Sequence, residues 1–127
     1  MEIIDRYVRA LQDHDWVALA DTISDEDLYR VGTFGDVVQG KETYVAFLSS
    51  LLPTLVNYRL EVTQVHPLAE GGAVVELSEY LDVDGVNQRF PEAIFFGLDG
   101  AGKIGRVTIY IQQLGAPAPV AGGSAAG

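Results

Sequence analysis

Two glutamates carry most of the chemistry this sequence offers. Glu79 stands among Val75, Leu77 and Leu81, and Glu92 among Phe90, Ile94, Phe96 and Leu98, each at even spacing from its apolar neighbours. In an extended strand that spacing shares one face, so both carboxyl groups are expected on the apolar side of a sheet. Asp84-Gly85 lies between the two segments and has the residue types of a two-residue hairpin turn. With that turn, Glu79 falls opposite Phe90 and Glu92 opposite Leu77, which makes the glutamates diagonal neighbours about 5–8 Å apart. A one-residue slip of register would turn both to the other face.

Two carboxyl groups in an apolar cavity cannot both ionise cheaply. Desolvation and mutual repulsion raise the pKa of at least one, leaving one acid and one base. Such a pair suits proton transfer on a carbonyl compound or acid-assisted opening of an epoxide. Tyr7, on the apolar face of the first helix, is a candidate hydrogen-bond donor to a developing oxyanion. The plainer alternatives are structural. Each glutamate could reach the rim of the sheet or pair with Arg59 or Arg89, and Tyr7 could simply be helix core.

Other motifs offer less. His14 and His66 are the only histidines and lack ligand spacing, and there is no cysteine, so neither a metal site nor a disulfide is expected. Gly100-Ala101-Gly102-Lys103 is a hairpin and not a phosphate loop, because no Ser or Thr follows the lysine. Ser49, Ser50 and Ser78 have no evident histidine partner. No cofactor is expected.

The elements that must position these residues follow from periodicity. Ile3, Ile4, Tyr7, Val8 and Leu11 form one face of an amphipathic helix. Asp15 is placed to cap a second, short helix carrying Trp16, Leu19, Ala20 and Ile23. Residues 28–31 read as a short strand and 32–36 as a loop. A third helix follows Gly40 with Tyr44, Phe47, Leu48, Leu51 and Leu52 as its buried stripe, and Pro53 stops it. Strands are expected over 58–65, 73–83, 86–98 and 103–113. Three helices before a run of strands is an α+β layout, a curved antiparallel sheet burying one face on the helices, with a cavity between them. The other sheet face would carry Tyr80, Phe95, Thr108 and Tyr110 beside Arg89 and Arg106, an aromatic patch that calls for a partner.

The chain has 127 residues, 48% of them hydrophobic, enough for one domain with a real core. That domain spans residues 1–114; residues 115–127 hold only Gly, Ala, Pro, Val and Ser and are expected to form a flexible tail. With 18 Asp+Glu against 8 Lys+Arg, the net charge is -10, which argues against nucleic-acid or anionic-membrane partners. Met1-Glu2-Ile3-Ile4-Asp5-Arg6 lacks the basic and then apolar regions of an export signal, so the cytoplasm is the expected compartment.

The order helix, helix, strand, helix and then four strands resembles the nuclear transport factor 2-like superfamily, whose members include SnoaL-like and ketosteroid isomerase-like proteins. So do three strings: Arg6-Tyr7-Val8-Arg9-Ala10-Leu11, Val37-Val38-Gln39-Gly40-Lys41-Glu42 and Leu98-Asp99-Gly100-Ala101-Gly102-Lys103-Ile104. The resemblance implies a cone-shaped domain with a hydrophobic small-molecule ligand and a homodimer packed sheet to sheet. It implies no single reaction. Beside ketosteroid isomerase, Arg6-Tyr7 matches the arginine and oxyanion-donating tyrosine, but the base aspartate falls on Val31 and the protonated aspartate on Ile94. Beside epoxide hydrolase, Glu79-Tyr80-Leu81-Asp82 keeps one aspartate, loses the arginine to Tyr80, and places the second aspartate near Ile109. Val31, Ile94 and Ile109 are therefore expected as apolar lining, together with Phe90 and Phe96, with Trp16 in the second helix and Phe34 in the loop after the first strand. The expected function is a small pocket enzyme, an isomerase, cyclase or epoxide hydrolase, acting on a hydrophobic carbonyl or epoxide. The alternatives are a binding module for an apolar small molecule and a purely structural dimerisation domain.

Overall fold

The computed structural model describes residues 1–112; the expected tail, 115–127, lies outside the described residues. The first helix, α1 (Glu2–Asp13), buries Ile4, Tyr7, Ala10 and Leu11 and ends where His14 takes a left-handed conformation, φ 54. Asp15 then caps α2 (Trp16–Asp21), its carboxylate accepting the Ala18 N–H at 3.1 Å. The third helix, α3 (Lys41–Leu51), turns Tyr44 and Leu48 inward. It passes into a single 3₁₀ turn, Leu52–Thr54, containing Pro53, whose missing N–H cannot continue an α-helix.

The strands are β1 (Tyr29–Val31), β2 (Val37–Gln39), β3 (Arg59–Pro67), β4 (Ala73–Val83), β5 (Val86–Leu98) and β6 (Ile104–Ile111). They form one curved, unclosed sheet in the order β2-β1-β6-β5-β4-β3. Two features depart from expectation. Val37–Gln39 is a strand, pairing antiparallel with β1 through Arg30↔Val38. β1 also pairs with β6 in parallel, Arg30 beside Val107, so the sheet is mixed and not wholly antiparallel. The chain leaves β1, crosses α3 and three long strands, and returns beside it in the same direction. That distance along the chain is what a parallel pairing requires.

Register in the long strands is fixed by turn chemistry. Asp84 and Gly85 both have positive φ, 53 and 80, as a type I′ turn needs, and Val83 pairs with Val86 across it. Glu79 then lies opposite Phe90, and Glu92 opposite Leu77, as the sequence pattern requires. Irregular register at Val62/Gln64 and at Gly97/Leu98 interrupts the ladders; such bulges bend a sheet. The β3–β4 turn admits only glycine at position 72. Its φ is 104, and a Cβ there would stand 2.2 Å from the Phe96 carbonyl oxygen.

The core fills the space between the inner sheet face and the helices, with Phe96, Val107, Ile104, Tyr44 and Leu19 almost wholly buried. On the outer face the arginines lie over aromatic rings. Arg59 stands 3.8 Å above Tyr80 and Arg106 5.0 Å above Phe95, while Arg89 donates through Nε to Ser78 at 2.9 Å. Tyr110 remains 64% exposed there. Among the described residues no helix is long and apolar enough to cross a membrane.

Candidate active-site cavity

A cavity of about 190 Å³ lies between the sheet and helices α1 and α3. Its wall is mostly aliphatic and aromatic, with Leu11 from α1, Phe47 and Leu48 from α3, Leu77 from β4, and Ile94, Phe96 and Ile109 from β5 and β6. Into it project Tyr7, Arg30, Tyr44, Glu79 and Glu92.

The two glutamates reach the cavity because each shares the face of its strand's apolar residues. Glu92 is 8% exposed, and its Oε2 is buried without a hydrogen-bond partner among the described residues. Burial pushes its carboxyl up to about 9; the Glu79 charge and hydrogen bonding to Glu79 push in the same direction, and only Arg30 opposes them. At neutral pH Glu92 is therefore a carboxylic acid. Glu79 is half-buried and accepts a hydrogen bond from the Tyr58 hydroxyl at 2.5 Å. Neither glutamate forms a salt bridge with Arg59 or Arg89, because both arginines belong to positions on the opposite sheet face.

Tyr7 and Tyr44 bring their hydroxyls together across the cavity at 2.5 Å. Burial, reinforced by Tyr44, raises Tyr7 well above the ordinary tyrosine value, and burial pushes Tyr44 up to about 12. Both stay protonated at neutral pH. One hydroxyl uses its proton in the bond to the other, so one proton remains available to a third oxygen. Tyr7 also packs edge-on against Phe96, ring centroids 5.3 Å apart.

Arg30 is the remaining charged wall residue. Its side chain is 12% exposed, with Nη1 held by Asp36 at 2.8 Å, and that hydrogen bond keeps the Asp36 carboxyl below its usual range. The guanidinium lies 4.8 Å above the Phe47 ring. Its Nε is buried without a partner among the described residues.

Glu79, Glu92, Tyr7, Ile94, Phe96 and Ile109 thus meet at one cavity, and four expected lining residues do not join them. Val31 has the parity opposite to Arg30 in β1, so the arginine takes the inward place. Phe34 sits in the β1–β2 turn, 80% exposed. Trp16 stacks on His14 with centroids 5.4 Å apart, at the start of α2 and away from the cavity. Phe90 shares the face of Glu92 but lies two residues nearer the hairpin, outside the lining. Sequence reasoning missed Arg30, Tyr44 and Tyr58 as cavity chemistry. Leu28, 1% exposed, held the signal for Arg30, since alternation from an inward Leu28 brings residue 30 inward as well.

Residues 4–107 match the family model described as SnoaL-like domain. No curated protein sequence matches the chain significantly. Among solved structures, an LEH-like epoxide hydrolase from Mycobacterium tuberculosis is 16% identical, with a TM-score of 0.74 over 87% of this chain and 80% of that one. A second M. tuberculosis protein, in complex with estradiol-17beta-hemisuccinate, is 17% identical, with a TM-score of 0.72 over 88% and 92% of the two chains. A Catenulispora acidiphila protein of ketosteroid isomerase-like fold, in complex with trimethylamine, is 17% identical, with a TM-score of 0.73 over 86% and 84%. At these identities the likeness is one of fold, the nuclear transport factor 2-like fold that the element order and the three strings imply.

Proposed function

The chain belongs to the SnoaL-like domain family, and from that premise we propose that it is a small-pocket enzyme of the isomerase or cyclase kind, moving protons on an apolar carbonyl or epoxide compound. The observation that carries this reading is the pair Glu79 and Glu92, two carboxyl groups meeting in an apolar cavity with no salt bridge to either among the described residues. Their roles differ by environment. Glu79 is the base: its carboxylate takes a proton from the carbon beside the substrate carbonyl. Glu92 is the acid, giving its proton to the oxygen as the carbonyl becomes an enol. Return of the two protons, with the carbon protonated at a different position, completes an isomerisation and restores both groups. The free proton of the Tyr7–Tyr44 pair stabilises negative charge on that oxygen.

The Tyr58 hydroxyl on Glu79 favours a second reading, a non-catalytic binding module, since a carboxylate already engaged is a poorer base. One experiment separates the two. A proton-abstracting site exchanges the α-hydrogens of a small cyclic ketone for deuterium in D₂O faster than buffer does, followed by proton NMR. Glu79→Gln should lower that enhancement by about 10²–10⁴-fold with the fold intact. Binding of the ketone without enhanced exchange supports the binding module.

We further propose a homodimer formed through the outer sheet face, where Tyr110 is exposed beside the Arg106–Phe95 and Arg59–Tyr80 stacks. An exposed aromatic on a broad sheet face is the kind of surface that a second copy covers.

A further inference from the structure

A base in an apolar cavity has to stay ionised to work. Glu79 is half-buried in a lining that is mostly aliphatic and aromatic, with the carboxyl group of Glu92 in the same wall. Burial and a neighbouring carboxyl group both favour the protonated form of an acid. The other titratable or charged groups facing the pair are Tyr7 from α1, Tyr44 from α3 and Arg30 from β1. The hydroxyls of Tyr7 and Tyr44 are bonded to each other, and the charge of Arg30 is shared with Asp36 at 2.8 Å. The side chain that donates to Glu79 is Tyr58, at 2.5 Å.

Tyr58 is not part of the cavity lining, so it acts through Glu79 and not on an occupant. The chain around it is fastened to β4, the strand that carries Glu79. The Asp82 N–H donates to the Val56 carbonyl at 2.9 Å, and Asn57 Nδ2 donates to the Asp82 carboxylate at 2.8 Å. Asn57 takes a left-handed φ of 54, and on the other side of Tyr58 the ladder begins with Arg59 opposite Tyr80. The Tyr58 ring packs against the core. Its hydroxyl is therefore organised before any substrate arrives. A hydrogen bond to the charged form of an acid favours that form. It makes a weaker base, but a stronger one in this setting would already hold a proton. A carboxylate bonded through one oxygen keeps lone pairs enough to take another proton.

We propose that Tyr58 is the positioning residue of the base: from behind the cavity wall its hydroxyl fixes one oxygen of Glu79 and keeps that carboxylate ionised beside Glu92. The role of Glu79 as base rests on the proton-transfer reading; the hold of Tyr58 on the Glu79 charge does not.

Tyr58→Phe removes the hydroxyl and keeps the ring. Carbon-detected NMR on the full chain should show the Glu79 carboxyl turning protonated at a pH higher by about one unit or more, the worth of a hydrogen bond to a charged group. The Glu92 titration should stay where it is. In the α-hydrogen exchange of cyclohexanone, the low-pH limb of the rate profile should move up by the same amount, with the affinity for the ketone unchanged. In the parent, the Tyr58 hydroxyl proton should resonate far downfield at neutral pH and move upfield as Glu79 is protonated. The proposal is overturned by an unmoved Glu79 titration, by equal shifts of both glutamates, by a rate loss with no displacement of the limb, or by a Tyr58 hydroxyl proton that exchanges freely with water at neutral pH. If the parent exchanges no ketone hydrogens, the enzyme reading falls, and the carboxyl titrations alone decide the Tyr58 assignment.

Discussion

Replacing Glu92 by Gln should make the protein less sensitive to rising pH, and more stable than the parent at neutral and alkaline pH. The folded protein holds the Glu92 proton up to about 9, against 4.5 for the free side chain. Between those values the folded state carries a proton that the unfolded chain has released. Stability therefore falls as pH rises, by about 1.4 kcal/mol per unit, and the loss is complete only above the folded value. Below 4.5 both states are protonated and Glu92 contributes no slope. From 4.5 to 7 the accumulated cost is about 3 kcal/mol, an upper figure. Glutamine keeps the shape of the protonated acid and has no charge to acquire. Urea unfolding of parent and Glu92→Gln at several pH values from 5 to 9 measures the difference, and subtracting the curves removes the contributions of other groups. The gap should open steadily with pH. Parallel curves would refute the claim that Glu92 is buried as a neutral acid.

Two further outcomes follow from other parts of the fold. The parent should scatter light as a dimer near twice 13.7 kDa and Tyr110→Glu as a monomer; a monomeric parent at micromolar concentration rules out the outer-face interface. Gly72→Ala should cost about 2 kcal/mol or more in thermal unfolding, since it combines positive φ with a Cβ driven into the Phe96 carbonyl; a loss under about 0.5 kcal/mol would mean that the turn relaxes freely.

What the sequence disclosed depended on how many residues carried each pattern. Glu79 and Glu92 were legible because long strands repeat their alternation several times and Asp84-Gly85 pins the register between them. The amphipathic face of α1 and the Asp15 cap were legible for the same reason, strong local patterns with local causes. β1 and β2 hold three residues each, too few to fix a parity, so no strand is expected over Val37–Gln39 and the inward place of Arg30 leaves no mark in the pattern. The parallel pairing of β1 with β6 joins residues far apart in the chain and leaves no local mark. Tyr44 was correctly buried in its helical stripe, but its hydroxyl partner, Tyr7, comes from another helix, and no periodicity records that meeting. Tyr58 likewise stands just before β3, the first long strand in sequence, while its bond to Glu79 reaches across to β4, a meeting that alternation within one strand does not record.

The most direct test of the central claim is a carbon-detected NMR titration of the side-chain carboxyl groups of Glu79 and Glu92. The account predicts a Glu92 midpoint up to about 9, and a lower midpoint in Glu79→Gln, where the neighbouring charge is gone. A Glu92 midpoint near the unperturbed value of 4.5, unchanged by Glu79→Gln, would contradict the acid–base pair and leave the cavity as a binding site only.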